Sequence, residues 1–241
     1  MFRLREFWGG AGRGGTGMRA RLCPFTRVML VEIYSDVVCP WCYIGKRRFE
    51  AALARFDGRD DVTVVFKPFQ LDPNAPREPT PVLDAYARKF GGPEEAARIV
   101  ERVTAVAAPE GLDFHMDIAQ RANTFDAHRV IAFAARHGRQ AAMKERLLQA
   151  YFIEGRHVGD PAQLAALAGE VGLDTDEVAA FLASDDGVAE LRAELLDSLE
   201  RGVSAVPTFV FEGRWAVPGA QDADTMLRVL ETVAEKLATA T

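Results

Sequence analysis

Val31-Glu32-Ile33-Tyr34 is an apolar, strand-like run, Cys39-Pro40-Trp41-Cys42 follows it closely, and Tyr43-Ile44-Gly45-Lys46-Arg47-Arg48-Phe49-Glu50 continues as a helix-like run. A C-x-x-C is thereby placed where a strand hands over to a helix. The first turn of a helix offers free backbone N–H groups and the positive end of the helix dipole, so a thiolate on Cys39 is favoured over the thiol there. The motif points to thiol–disulfide exchange, with half of a metal site as the competing use of two such cysteines.

Working outward, Met29 to Ser35 reads as a strand, the C-x-x-C opens a helix to about Phe56, and Asp57-Gly58-Arg59-Asp60 is a turn. Val62-Thr63-Val64-Val65-Phe66-Lys67-Pro68-Phe69 is a second strand, which Pro68 should end or place at an edge because proline lacks the N–H of a ladder. Strand signals then stop. A Pro-rich connector from Asp72 to Pro81 leads into Ala-, Leu-, Glu- and Arg-rich segments with helical spacing. Helices are expected at about 81–90, 93–108, 122–138, 140–154, 161–171, 174–184 and 187–201, with glycines near the breaks and Asp160 and Asp174 as N-caps. The β signal returns at Val206-Pro207-Thr208-Phe209-Val210-Phe211, turns at Glu212-Gly213, pairs back through Arg214-Trp215-Ala216-Val217, and gives way to a last helix from Asp222 to Leu237. The order β-α-β, helices, β-β-α predicts an α/β protein with a thioredoxin-like fold and an inserted all-helical domain. The expected boundaries are 29–72 with 202–241 for the discontinuous thioredoxin-like domain and 73–201 for the insertion.

The first 28 residues are different in kind. They hold six arginines, one acid and the glycine tract from Gly9 to Gly15, a composition that buries little apolar surface and reads as a disordered extension or an over-long start ahead of Met29. A secretory signal needs an unbroken apolar core of roughly 7–15 residues, and none is present; an organelle transit peptide fits poorly, since the segment lacks serine. A cytoplasmic protein is expected. The segment carries +5, so the remaining chain sits at −11 against −6 for all 241 residues, which argues against nucleic acid as a partner. No membrane partner is expected either. Three cysteines are too few for a disulfide framework, and Cys23 reads as an incidental thiol. Zinc is disfavoured because there is no second C-x-x-C and His115, His128, His137 and His157 show no paired spacing.

The stretch from Val31 through Cys39-Pro40-Trp41-Cys42 to Arg47 resembles the start of the FrnE-like branch of the DsbA oxidoreductases, a superfamily that also includes 2-hydroxychromene-2-carboxylate isomerases. Phe69-Gln70-Leu71-Asp72-Pro73, Asn123-Thr124-Phe125-Asp126-Ala127-His128-Arg129, Ala150-Tyr151-Phe152-Ile153-Glu154-Gly155 and Gly202-Val203-Ser204-Ala205-Val206-Pro207-Thr208-Phe209 are similar to the same branch in the same order. The resemblance runs from Met29 nearly to the end. It implies Cys39 as nucleophile and Cys42 as the resolving thiol, with Pro40 and Trp41 tuning the pair. Unlike DsbA itself, no histidine stands between the two cysteines.

The resemblance also implies that Val206–Pro207 is the cis peptide beside the cysteine pair, a bond that costs only about 0.5–1 kcal/mol more than trans for proline. Val206, Pro207 and Thr208 then bind an extended substrate chain. Glu32 is a candidate for the buried carboxylate that exchanges a proton with the second cysteine, although its seven-residue spacing from Cys39 is one longer than usual. Asn123, Thr124 and His128 match a helical-domain motif that borders the cleft, with a purely structural histidine the simpler reading of His128. Lys46 and Arg47 either favour the thiolate or form a solvated face.

Three function classes follow. The leading one is a protein dithiol–disulfide oxidoreductase acting on thiol- or disulfide-containing proteins or peptides, without a bound cofactor but with glutathione as a possible reductant or cosubstrate. The others are a glutathione-dependent isomerase or transferase for aromatic small molecules and a chaperone-like binding module. Relatives of the isomerase type keep a single nucleophile, so two cysteines favour redox work.

Overall fold

The structure, a computed structural model, describes residues 28–76 and 78–239. The extension expected over 1–28, with Cys23, lies outside them apart from Val28. Strand β1 (Met29–Ser35) buries Met29, Val31 and Ile33 on one face and leaves Leu30 outward, the alternation a half-covered strand requires. Helix α1 (Pro40–Arg55) returns the chain to β2 (Val62–Pro68), which pairs parallel to β1 from Met29↔Val62 to Ser35↔Pro68. Pro68 is the last residue of that strand, and β2 is an edge of the sheet.

A two-residue strand β3 (Thr80–Pro81) precedes α2 (Val82–Phe90) and α3 (Pro93–Ala107). Its partner β4 (Gln120–Arg121) precedes α4 (Phe125–Arg136), α5 (Gln140–Phe152), α6 (Pro161–Glu170), α7 (Thr175–Ala183) and α8 (Val188–Glu200). The segment expected to be all helical thus contains a small antiparallel ladder, β3 with β4. Two residues, one of them proline, are too few to show a period of two. Helix α4 starts at Phe125, later than expected, because the Asn123 side chain accepts the Phe125 N–H at 3.0 Å and holds the preceding residues out of the helix. The expected caps are present: Asp160 accepts from Ala162 N and Asp174 from Glu177 N, both at 2.9 Å.

Strand β5 (Thr208–Phe211) pairs antiparallel with β1 and with β6 (Trp215–Pro218), giving the order β2-β1-β5-β6, and α9 (Ala223–Thr239) ends the described chain. The β5–β6 turn has left-handed φ at Glu212 (53°) and Gly213 (63°), the geometry that matches the twist of a tight hairpin. Helices α1 and α9 cover one sheet face through Phe49, Leu53, Met226, Leu230 and Val233, packed on Ile33, Phe209 and Phe211. Phe49 stacks on Phe209 with ring centroids 5.5 Å apart. This is the thioredoxin-like α/β arrangement anticipated from the order of elements.

Helix α1 belongs to two cores. Its far end packs on the sheet, while Tyr43 and Ile44, just past the cysteines, join the helical core with Phe114, Leu147, Leu148 and Phe152. At the β2 edge the Gln140 side chain accepts the Phe66 N–H at 3.0 Å and donates to the Phe66 carbonyl at 3.1 Å. Among the described residues no helix is long and apolar enough to cross a membrane.

Candidate active site

Cys39 is the N-cap of α1, with φ −95° and ψ 111°, and Pro40 occupies the first turn, where its missing N–H costs nothing. The Cys39 Sγ accepts the Cys42 N–H at 3.3 Å, so the sulfur itself satisfies one of the helix's free donors. On its other side Cys39 Sγ lies 3.7 Å from the Val206 carbonyl. Both cysteines are free thiols and are 3 % exposed, whereas Trp41 between them is 37 % exposed.

The Val206–Pro207 peptide is cis. The loop is held by Gly219 N–H donating to Pro207 O at 2.7 Å and by Thr208 Oγ1 donating to Ala205 O at 2.8 Å. Strand β5 therefore begins at Thr208, two residues later than the sequence suggests, and the Thr208 hydroxyl already has a partner within its own loop. Helix α1 meets this loop at Gly45, where a Cβ would stand 2.9 Å from Pro207 Cγ and 3.3 Å from Ala220 Cβ. Gly45→Ala is expected to destabilise the protein by about 1–3 kcal/mol, the usual effect of overpacking, and to push the Val206 carbonyl away from Cys39. A denaturant titration checks it; an unchanged midpoint would show that the loop yields freely.

Behind the thiols lie charges that sequence reasoning placed elsewhere. Glu32 is only half buried, and its charge acts on Tyr34 and Arg201. The carboxylate on the cysteine side is Asp36, wholly buried three residues before Cys39. It accepts the Val37 and Leu71 N–H groups, each at 2.8 Å, and lies 3.2 Å from His128 Nε2, which is also 3.0 Å from the Phe69 carbonyl. Both neighbours of Nε2 are acceptors, so that nitrogen carries a proton. Burial alone would raise the Asp36 carboxyl, but the His128 hydrogen bond and charge and the Leu71 N–H outweigh it and hold it below the ordinary range.

Lys144 of α5 is 1 % exposed, and its ammonium donates to the Ser35 carbonyl at 3.5 Å. Burial pushes the Cys42 thiol well above its ordinary value, the hydrogen bond and charge of Cys39 add to this, and the Lys144 charge opposes it. Lys46 and Arg47 do not face the thiols as cations in solvent. Lys46 is buried and pairs with Glu50 at 2.6 Å and with Glu145 at 2.5 Å, Arg47 also binds Glu145, and Tyr43 OH donates to Glu145 at 2.7 Å. Glu145 thereby fastens α1 to α5.

Asn123 and Thr124 stand apart from the thiols. Asn123 Nδ2 donates to Pro73 O at 3.1 Å and Ala75 O at 3.2 Å, and Gln70 Nε2 reaches Asn123 Oδ1 and Thr124 Oγ1 at 3.4 Å each. They pin the Pro-rich connector to the start of α4. Asn123 lines a cavity of about 980 Å³ that does not include either cysteine. The cysteine cleft is a separate groove of about 510 Å³ lined by Cys39, Trp41, Tyr86, Phe90, Tyr151 and Val206, with Arg88 and Lys89 on its wall. Burial and the nearby Cys39 push the Tyr86 hydroxyl up to about 12, so it stays a neutral donor in that wall at any ordinary pH.

A family model described as a DSBA-like thioredoxin domain matches residues 30–231. The chain belongs to this family. Among solved structures, a probable DsbA oxidoreductase from Streptomyces coelicolor is 39% identical with a TM-score of 0.81, covering 86% of this chain and 90% of that one. The cytosolic disulfide reductase DsbM from Pseudomonas aeruginosa, solved with GSH, is 23% identical with a TM-score of 0.59, covering 86% and 99%. A 2-hydroxychromene-2-carboxylate isomerase is 15% identical with a TM-score of 0.64, covering 88% and 99%. The last two share the fold. The resemblance read from the sequence is thus the right one, and this DSBA-like chain stands among the thiol oxidoreductases.

Asp36 and Lys144 escaped the sequence reading. Asp36 left a signal, an acid within the run Ile33 to Val38 that is otherwise apolar but for Ser35. Lys144 left none, since Lys144-Glu145-Arg146 looks like any solvated stretch of helix.

Proposed function

We propose that this chain is a dithiol–disulfide oxidoreductase for protein or peptide disulfides, working through a mixed disulfide on Cys39. The observation that carries the reading is the position of Cys39 Sγ, at the start of α1 between the Cys42 N–H at 3.3 Å and the Val206 carbonyl at 3.7 Å. A thiolate there meets a free helix donor, and the Val206 backbone beside it can pair with an extended chain. The Cys39 thiolate attacks one sulfur of a substrate disulfide, whose bond breaks with its electron pair leaving on the other sulfur. Cys42 then attacks Cys39 Sγ, releases the second substrate thiol and closes the Cys39–Cys42 bond, so two electrons pass to the substrate. Run backwards, the same steps oxidise a dithiol.

Pro40 and Trp41 set the shape of the motif, Trp41 as an exposed apolar surface beside the attacked sulfur. No bound cofactor is needed; glutathione is the candidate reductant that returns the disulfide to the dithiol, and the cytoplasm is the compartment whose thiol pool suits this. An isomerase-type reaction uses one nucleophile and has no use for a second thiol packed against the first.

Cys42→Ser is the decisive variant. Mixed with a peptide disulfide it should accumulate a covalent adduct on Cys39, seen by mass spectrometry and released by dithiothreitol. No adduct, with thiols shown to be reduced at the start, rejects the reading.

A further inference from the structure

The groove over Cys39 takes up one whole face of α2. Val82, Ala85, Tyr86 and Lys89 recur at the three- and four-residue spacing of a helix face, and all of them line the groove together with Cys39 and Val206. Trp41, Leu71 and Phe90, three exposed large apolar side chains, belong to the same lining. Apolar side chains gathered in one solvent-facing place mark a contact surface rather than scattered exposure.

The wall of this surface is also charged. Among the described residues its cations are Arg88, Lys89 and Arg121, and its one acid is Asp72. Asp72 is already engaged, since its carboxylate accepts from Arg121 Nε at 3.0 Å. Arg88 and Lys89 are exposed and form no ion pair among the described residues; Lys89 Nζ lies 5.5 Å from the Phe90 ring. A chain that carries −6 overall thus presents an uncompensated positive wall beside its reactive sulfur. The last turn of a helix favours cations wherever they point, but these two point into the groove of Cys39.

We propose that the groove selects disulfides flanked by acidic side chains, with Arg88 and Lys89 as the residues that determine this specificity. The proposal rests on the exchange reading above and names its substrate class, an extended peptide segment with Asp or Glu beside its cysteine. A chain paired along the Val206 backbone turns its side chains alternately to either side, which brings some of those next to the cysteine toward α2. A carboxylate arriving there meets two cations with no counter-ion to displace, whereas a lysine or arginine is repelled. The effect lies mainly in the rate of productive encounter, so salt weakens it.

Three peptides of one sequence test this, with Glu, Gln or Lys at the positions on both sides of a single cysteine that is capped as its mixed disulfide with 2-thiopyridine. The reduced full chain attacks the peptide sulfur through Cys39, the capping S–S bond breaks with its electron pair on 2-thiopyridine, and absorbance follows the release. Each rate is divided by the rate of the same peptide with dithiothreitol, which removes differences in the peptides' own reactivity.

The Glu peptide is expected to react about tenfold faster than the Lys peptide at low ionic strength, with Gln between them, and the spread should shrink to about twofold in about 1 M salt. Arg88→Glu with Lys89→Glu should invert the order. Arg88→Gln with Lys89→Gln, milder at the end of a helix, should bring the three rates together and serves if the reversed pair does not fold. Equal rates for the three peptides in the unaltered chain overturn the proposal. So does an order that survives both double variants, or variants that change all three rates by one factor, as cations acting on the Cys39 thiolate alone would. Absence of release from every peptide overturns the oxidoreductase reading itself, a different result.

Discussion

Replacing Cys39 by serine is expected to lower the rate of disulfide exchange by at least about a thousandfold, or about 4 kcal/mol in barrier. The reason lies in which sulfur can be reached. Cys39 caps α1 at the floor of the groove, beside the exposed Trp41 and the Val206 carbonyl, whereas Cys42 is turned into the protein behind it, toward Asp36 and Lys144. A serine hydroxyl is not ionised at neutral pH and does not attack disulfides, and Cys42 is driven toward its unreactive thiol form by burial. Reduction of insulin by dithiothreitol, with the chain as catalyst, checks the effect. Activity that persists in Cys39→Ser would remove the redox reading and leave the isomerase and binding-module classes.

The second large effect concerns Asp36. Asp36→Ala is expected to destabilise the fold by about 3–5 kcal/mol, because deleting a buried carboxylate strands the donors that it satisfies. Three donors lose their acceptor at once, the Val37 and Leu71 N–H groups and the His128 Nε2–H. The Val37 N–H and the His128 ring cannot turn to water, because Val37 and Asp36 are wholly buried and His128 nearly so. The acid side of the stability curve should change as well. The folded Asp36 carboxyl is held below its unfolded value, so its contribution is complete above about pH 4 and is lost as pH falls through the lower folded value. Asp36→Asn should therefore flatten that part of the curve. Denaturant unfolding between pH 2 and 7 measures both; a parallel acid slope in Asp36→Asn would mean that other carboxylates carry it.

Much of this was legible in the sequence because the signals were local. A strand that stops, a C-x-x-C and a helix that begins place the thiols without reference to anything distant, and Glu212-Gly213 marks its hairpin by backbone conformation alone. What lies beneath the thiols was not legible. Glu32 was chosen on a spacing carried over from relatives, yet strand alternation had already turned it away from the cysteines, and Asp36 took the place because α4 brings His128 across 92 positions to meet it. The burial of Lys144 is likewise decided by how α5 lies against the end of β1, which no helical period encodes. Asn123 and Thr124 were read as cleft residues, while their hydrogen bonds go to Gln70 and to Pro73 and Ala75 of the connector.

The Gln140 amide has a bearing on what this protein does at high concentration. A sheet whose outer strand shows bare N–H and C=O groups invites another chain to add on, and β2 is such a strand. By occupying both polar groups of Phe66, Gln140 imitates one residue of a neighbouring strand and stops that addition in the middle of the edge. The helical segment between the two halves of the sheet thus does more than add a second core: through one amide it takes up the polar groups at which another strand would otherwise add to β2.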